Sequence, residues 1–332
     1  MSLVRVDPDD RSAVECLTSV MNAARVVDDP QDHPTRSEIE NGYLRFGWGL
    51  ELAETSLYVP DGGGEPVGFL KVDLPRRDNR HLAWVEGAVH PDHRRQGHGT
   101  AMLSLLTDRV RSAGRTTIWA GGLAGYAPTL SFLEGAGFRR ASGDARRRQR
   151  LADVDWAAVD RLDAAAVPAA ADYELERSRA PTSDVVLAEL VEVTAAINDA
   201  PMGELDYEDE VFDVERLRDI ESAAAGRGDL FYRVVARHRG TGEVGGHTQV
   251  IFTPHRPHDA SIGDTAVARS HRGHRLGLRL KIDMMRWLAE VQPQLETVET
   301  WNNVDNHHMI SINEQLGYRL AGTFTTYELT LT

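Results

Sequence analysis

The sequence predicts an α/β chain made of two similar domains in tandem, and three observations carry that prediction. The first is length: 332 residues make about two domains at the usual 100–200 residues each. The second is a repeat. The stretch "RRQGHG" at 94–99 returns as "RGHRLG" at 272–277, and an offset of 272 − 94 = 178 far exceeds the roughly 20–50 residues of a solenoid unit, so a whole domain is duplicated. The third is periodicity. Met102, Leu106 and Val110 behind the first loop, and Leu280, Met284 and Leu288 behind the second, form the i, i+4, i+8 apolar stripe of an amphipathic helix.

Other landmarks keep the register. Gly64, Glu65 and Gly68 map onto Gly242, Glu243 and Gly246, while Glu86 and Val89 map onto Asp264 and Val267. Each copy therefore reads strand, glycine loop, helix. Later in each copy a strand-like run, "TTIWA" at 116–120 or "TVETW" at 297–301, leads into a helix ending "GAGF" at 135–138 or "QLGY" at 315–318; the offset there is 317 − 137 = 180. Between the copies, "DVDWAAVDRLDAAAVPAAAD" is alanine-rich and helical in pattern until Pro168 stops it. The expected organisation is a first domain at 1–152, a linker helix at 153–172 and a second domain at 173–332. Four arginines in "DARRRQRLAD" at 144–153 read as a solvated edge strand closing the first domain.

Composition excludes several function classes. Lys and Arg number 37 against 51 Asp and Glu, a formal net charge of -14 that repels nucleic acid and favours cationic partners. Cys16, the one cysteine, can form neither an intramolecular disulfide nor a thiolate zinc site and is expected to pack in a core. "MSLVRVDPDD" has no apolar signal region, and no run approaches the roughly 18 apolar residues of a membrane span. A soluble cytoplasmic protein, monomer or homodimer, with no metal, membrane or nucleic-acid partner is expected.

A strand that passes through a short loop directly into a helix leaves several backbone N–H groups without intrahelical partners, and the helix dipole makes that end an anion site. Gly97 and Gly99 permit unusual backbone angles and close approach of a phosphate, and Arg94 and Arg95 add charge-assisted donors. A pyrophosphate suits this arrangement. The P-loop pattern is absent, and the G-x-G-x-x-G pattern fails at Met102.

Arg94-x-x-Gly97-x-Gly99, preceded by Val89-His90-Pro91 at a strand's end, resembles the acyl-CoA-binding signature of the GNAT superfamily of N-acyltransferases. "FLEGAGF" and "INEQLGY" look like its second signature. The resemblance covers nearly the whole chain. It implies a mixed sheet in each copy, splayed between its fourth and fifth strands, flanked by helices and holding the pantetheine arm of acetyl-CoA in the gap. By position, Val89, Arg94, Arg95, Gln96, Gly97, His98, Gly99 and Thr100 would hold the co-substrate in the first copy. Val267, Arg272, His274, Arg275, Leu276, Gly277 and Leu278 would do so in the second. The second copy departs from the pattern: Arg275 stands at the first glycine's place and is expected to exclude a positive φ without strain. It also carries Asn302, Asn303 and Asn306, of which Asn302 and Asn306 are expected to bond pantetheine amides.

An amine near its ordinary pKa is almost wholly protonated at neutral pH, so acyl transfer to it needs a base. Glu86 and Asp264 occupy matching places and are the expected catalytic carboxylates, with Glu299 and His247 behind them. The leaving-group tyrosine common in the family is replaced by Leu133 and Asn313; Tyr126 reads as an ordinary loop tyrosine or as a substitute. The acidic run at 202–215 reads as either a solvated helix start or an attractor for a cationic amine. His307 and His308 read as helix entry. The expected activity is transfer of an acetyl group from acetyl-CoA to an amine of a small cationic molecule in a ternary complex; the rivals are a silent acyl-CoA-binding protein and a peptide acetyltransferase.

Overall fold

The computed structural model describes residues 1–331. The chain forms two compact units, each holding both antiparallel and parallel strand pairs. Residues 1–143 supply most of the first unit, joined by 203–208 and 323–331. The second unit comprises 144–202 and 209–322.

In the first unit, β1 (Ser2–Arg5), β2 (Glu54–Val59), β3 (Gly68–Asp73) and β4 (Leu82–Val89) pair antiparallel in sequence order, and β5 (Thr117–Leu123) pairs parallel to β4. The helix α1 (Arg11–Asp28) starts where the Asp10 carboxylate accepts from the N–H groups of Ser12 and Ala13, a side-chain N-cap. It buries Val14, Leu17, Met21 and Ala24. The helix α2 (Ser37–Phe46) follows it, α3 (His98–Ser112) joins β4 to β5, and α4 (Ala127–Gly135) follows β5. The stripe expected on α3 is the buried one, Met102, Leu106 and Val110. It packs on Val72, Ala83 and Ile118 of the sheet.

After β6 (Arg139–Arg150), the linker region forms α5 (Trp156–Ala166) and a short 3₁₀ turn through Pro168. The second unit repeats the plan with β7 (Tyr173–Arg179), α6 (Asp184–Ala195), α7 (Val214–Gly226), β8 (Leu230–His238), β9 (Val244–Phe252), β10 (Asp259–Val267), α8 (Leu276–Val291), β11 (Thr297–Asn303) and α9 (His307–Gln315). Strands β7 to β10 pair antiparallel in order, and β11 lies parallel to β10. Leu280, Met284 and Leu288 of α8 are all buried, as their spacing predicts.

The strands that close the two sheets depart from the expected boundaries. Residues 144–150 of β6 pair antiparallel with β11, from Asp144 opposite Asn303 to Arg150 opposite Thr297, and so belong to the second unit. The first unit is closed by the end of β12 (Arg319–Thr330), where Phe324 lies opposite Leu123 and Thr330 opposite Thr117. The arginine run is accordingly a correction: it is not a solvated edge of the first domain. Arg146, Arg147 and Gln149 are buried. Arg147 meets Glu314 at 3.0 Å, Arg148 meets Glu299 at 2.7 Å, and the Gln149 amide donates to the Leu316 carbonyl at 2.5 Å. Paired charges and long aliphatic stems let this strand be buried without an apolar face.

Candidate active site

In both units the parallel pair of strands opens. β4 and β5 are in register only from Leu82 opposite Thr117 to Trp84 opposite Trp119. β10 and β11 are in register only from Asp259 opposite Thr297 to Ser261 opposite Glu299. Beyond those points the facing edges part. β10 carries in addition an irregularity between Ile262 and Thr265 against β9, which re-aims Asp264; β4 has none beside Glu86.

Each strand then enters its helix through a tight loop. Gly97 is the N-cap of α3, at φ 85° and ψ -4°, and no side chain caps that end. The N–H groups of Gly97, His98, Gly99 and Thr100 find no acceptor among the described residues. At the second loop Arg275 is the N-cap of α8 at φ 55° and ψ 23°, and Arg275 to Leu278 present the same free donors. Arg275 thus adopts the left-handed conformation, at the strain expected of a non-glycine residue there, about 1–2 kcal/mol. The two loops divide the requirement differently. The first places Arg95 and Gly97 at positive φ and the second places Gly273 and Arg275 there, so each has one glycine and one arginine in the left-handed region.

The loops share an anchor. Arg94 Nε donates to the Val89 carbonyl at 3.0 Å, and Arg272 Nε to the Val267 carbonyl at 3.2 Å. Arg94 also forms a two-toothed pair with Asp28 at 2.7 and 2.9 Å and donates to the Tyr126 hydroxyl at 2.5 Å. Arg272 reaches Asp199 at 2.5 Å, and Arg269 pairs with the same carboxylate. The two guanidinium groups, Arg269's the larger influence, hold the Asp199 carboxyl down at about 2. Both anchoring arginines thus have carboxylate partners of their own. The free charge at the first loop rests with Arg95, which lines the cleft beside Gly97, Gly99 and Thr100.

Behind the first loop the opened strands enclose a cavity of about 460 Å³. Its walls include Leu70, Val85 and Val89 from the sheet, Leu103 and Leu106 from α3, Phe132 and Leu133 from α4, and Phe138, with Asp28, Arg94, Arg95 and Tyr126 also on the lining. Gly87 has to lack a side chain, because a Cβ there would stand 2.7 Å from Leu70 and 2.9 Å from the Phe69 carbonyl. A mouth of unpaired N–H donors leading to a narrow apolar slot suits a diphosphate carrying a long, weakly polar arm. Comparison with known proteins agrees with that chemistry, for the model of the acetyltransferase (GNAT) family matches residues 22–138 and again 195–318. The chain belongs to that family. It is an acetyl-CoA-dependent N-acetyltransferase. Over 99% of its length this acetyltransferase is also similar to a solved tandem GNAT protein from the clavulanic acid biosynthesis pathway, with TM-score 0.80, 25% identity and 98% of that chain covered. A mycothiol acetyltransferase of Saccharomonospora viridis is 28% identical over 268 residues, 79% of each protein. That of Stackebrandtia nassauensis is 34% identical over 114 residues, 34% of this chain and 36% of the relative. The fold thus implies acetyl-CoA as co-substrate.

The two expected carboxylates of the acetyltransferase occupy matching strand positions in different surroundings. Glu86 is exposed and lies 3.6 Å from the Lys71 ammonium, which also donates to Glu40 at 2.8 Å. Burial works against the Lys71 charge, but the Glu86 and Glu40 carboxylates outweigh it and raise its pKa. Trp84, two residues before Glu86 on the strand, is 55% exposed and meets Trp119 edge-on at 6.0 Å. Tyr207 stacks on Trp119 at 5.9 Å. The acidic segment holding Tyr207 is pinned to this unit: the Glu208 N–H donates to Asn79 at 2.7 Å, and the Asp206 N–H to Glu328 at 3.1 Å.

Asp264 is half-buried and accepts from the Gln249 amide at 3.1 Å. Gln249 stands where Lys71 stands in the first copy, so a neutral partner replaces an ammonium. Burial, reinforced by the Glu210 charge and opposed by Arg233, pushes the Asp264 carboxyl from its ordinary 3.8 to about 6. A carboxyl pKa raised by folding means that ionisation weighs against the folded state. Asp264→Asn is therefore expected to raise the melting temperature above pH 6, with the gain shrinking as pH falls and gone below pH 4. Melting curves of both proteins across that range check it. His247 is unsuited as a base: it is 1% exposed, its ring nitrogens have no hydrogen-bond partners among the described residues, and burial together with Arg233 takes it down to about 3. Glu299 is engaged by Arg148 and by the Trp301 indole at 2.8 Å.

The remaining expected residues have structural contacts. His98 meets the Tyr58 ring edge-on at 5.6 Å, and the Gln96 amide donates to the Asp92 carbonyl at 3.4 Å. His274 Nδ1 lies 2.9 Å from the Ala169 carbonyl, and Leu276 and Leu278 are buried. Asn302 accepts from the Asn313 amide at 2.7 Å, and Asn306 caps α9 through the Met309 N–H at 3.2 Å. His307 and His308 open that helix. Lys71, Trp84, Tyr207 and Lys281 were missed. One signal was available for two of them: of the 37 basic residues, Lys71 and Lys281 are the only lysines.

Proposed function

We propose that the acetyltransferase moves an acetyl group to an amine of a small cationic molecule by direct attack in a ternary complex, with the first unit binding the co-substrate and Glu86 as base. The observation that carries this reading is the cavity of about 460 Å³ running from the free donors of Gly97 to Thr100 into the parting of β4 and β5. In this reading the N–H groups at the mouth, with Arg95, hold the pyrophosphate, and Leu103, Phe132 and Leu133 flank the arm. When bound, acetyl-CoA supplies an acyl group activated as a thioester.

The acceptor enters on the sheet face that carries Trp84 and Glu86. An exposed indole beside a carboxylate attracts an ammonium through both its π-face and charge. Asp206, at 69% exposure, and the Tyr207 ring add to that face. Glu86 takes a proton from the amine, and Lys71 orients the carboxylate between strands. Tyr126 lines the cavity, and burial, helped by Asp28, raises its pKa. Its hydroxyl keeps its proton and can pass it to the departing sulfur. The relatives named mycothiol acetyltransferase support a small-molecule acceptor.

A second reading, catalysis in the second unit with Asp264 as base, is favoured by the raised pKa of Asp264, because a base near 6 is well matched to neutral pH. Calorimetric titration of acetyl-CoA, combined with thiol release in the presence of cationic amines, tests the proposal. Binding with amine-dependent thiol release is expected. Binding without release for the cationic amines would overturn the cationic acceptor, and no heat would overturn the first unit as the co-substrate site.

A further inference from the structure

We propose that Lys281 is a covalent acetylation site, taking an acetyl group from acetyl-CoA held at the second unit's own helix opening. The inference rests on the second loop being a co-substrate site. Three walls of the first cavity change character in the second copy. Leu103 becomes Lys281 (281 − 103 = 178), Leu133 becomes Asn313 and Phe138 becomes Tyr318 (318 − 138 = 180). The backbone around them is unchanged in plan, with free N–H groups at Arg275 to Leu278 and strands that part beyond Ser261 and Glu299.

Lys281 is 2% exposed on α8, and its Nζ lies 5.5 Å from the centre of the Tyr318 ring. No carboxylate among the described residues pairs with it, and the Tyr318 hydroxyl and Asn313 Oδ1 are buried without partners. An ammonium buried with no counter-charge is held against a heavy desolvation cost. Burial accordingly lowers Lys281 to about 7, so a large share of the side chain is a neutral, nucleophilic amine at neutral pH. The composition sharpens the point. This chain uses arginine at every basic position but two, and arginine, which stays protonated, could serve a structural cation but not an acyl acceptor.

In the reaction the neutral Nζ attacks the thioester carbonyl. An N–C amide bond forms, the C–S bond breaks, the sulfur leaves with the electron pair, and the proton lost from Nζ passes to the thiolate or to water. The product side chain is uncharged and no longer pays for burying an ammonium. The modified amine can accept no second acetyl group, so the reaction stops after a single turnover.

The test is to incubate the full chain with acetyl-CoA and follow it by intact-mass and peptide-mapping mass spectrometry. One acetyl group per chain is expected, on Lys281, formed faster as pH rises through about 7 and levelling above it. Lys281→Met, which removes the amine without burying a fixed charge, should abolish the label with the melting temperature of the free protein kept, and Gly277→Trp should abolish both the label and the second binding event. Two binding events with Lys281 unmodified would overturn the proposal alone. A single event, removed by Gly99→Trp, would overturn the co-substrate reading of the second loop and the proposal with it. Labelling that survives Gly277→Trp would be uncatalysed and would also overturn it.

Discussion

Replacing Gly99 with tryptophan is expected to weaken acetyl-CoA binding to the first unit by about 100-fold or more. A Cβ at Gly99 already lies 3.4 Å from the Phe132 ring, so the indole can go only toward the mouth, in front of the Gly97 to Thr100 donors. Losing two hydrogen bonds to a phosphate, each about 1.5–3 kcal/mol when charge-assisted, amounts to at least about 3 kcal/mol, which is the factor of about 100. Calorimetry reads the change, and an unaltered melting temperature of the free protein shows that the fold is intact. Gly277→Trp, where a Cβ meets Ile312 at 3.7 Å, should remove the corresponding event in the second unit. If Gly99→Trp binds as tightly as the native chain, the loop is not the phosphate site.

Glu86→Gln is expected to lower kcat for amine acetylation by about 10²- to 10⁴-fold, the usual contribution of a positioned base. The affinity for acetyl-CoA should be unchanged, because Glu86 is absent from the lining of the cavity. The amide keeps the shape of the side chain, so kcat reads the lost proton transfer while KM for the amine reads the lost charge attraction. Steady-state kinetics beside calorimetric titration separate the two effects. Full activity in Glu86→Gln together with a comparable loss in Asp264→Asn would move the chemistry to the second unit.

Much of this architecture was legible in local sequence. The repeat at an offset of 178, the apolar stripes of α3 and α8, and the loops at the helix openings appear in the structure where residue spacing placed them. Glu86 and Asp264 do occupy matching strands. What differs between them is invisible in a one-residue alignment: a lysine against one and an amide against the other, a regular strand beneath one and an irregular one beneath the other. The left-handed positions are only partly visible in residue identity: the turn takes two positive φ angles, and glycine supplies one of them in each loop while an arginine takes the other.

Periodicity and composition by themselves determined that the chain carries two α/β copies, each with a glycine-bearing loop that opens a helix, because those features depend on residues within one turn or one strand of each other. Tertiary structure alone decided which strands close which sheet. Trp119 finds Glu328 across 209 residues and Arg147 finds Glu314 across 167, and such pairings leave no local signature: a run of arginines has no apolar alternation, so only its partners reveal it as buried strand. The same holds for the acidic segment at 203–208, which belongs to the first unit through Asn79 and Glu328. Its charge was plain in the sequence. Its place was not, because contact over long chain separations is chosen by the packing of the whole unit and not by the segment's own residues.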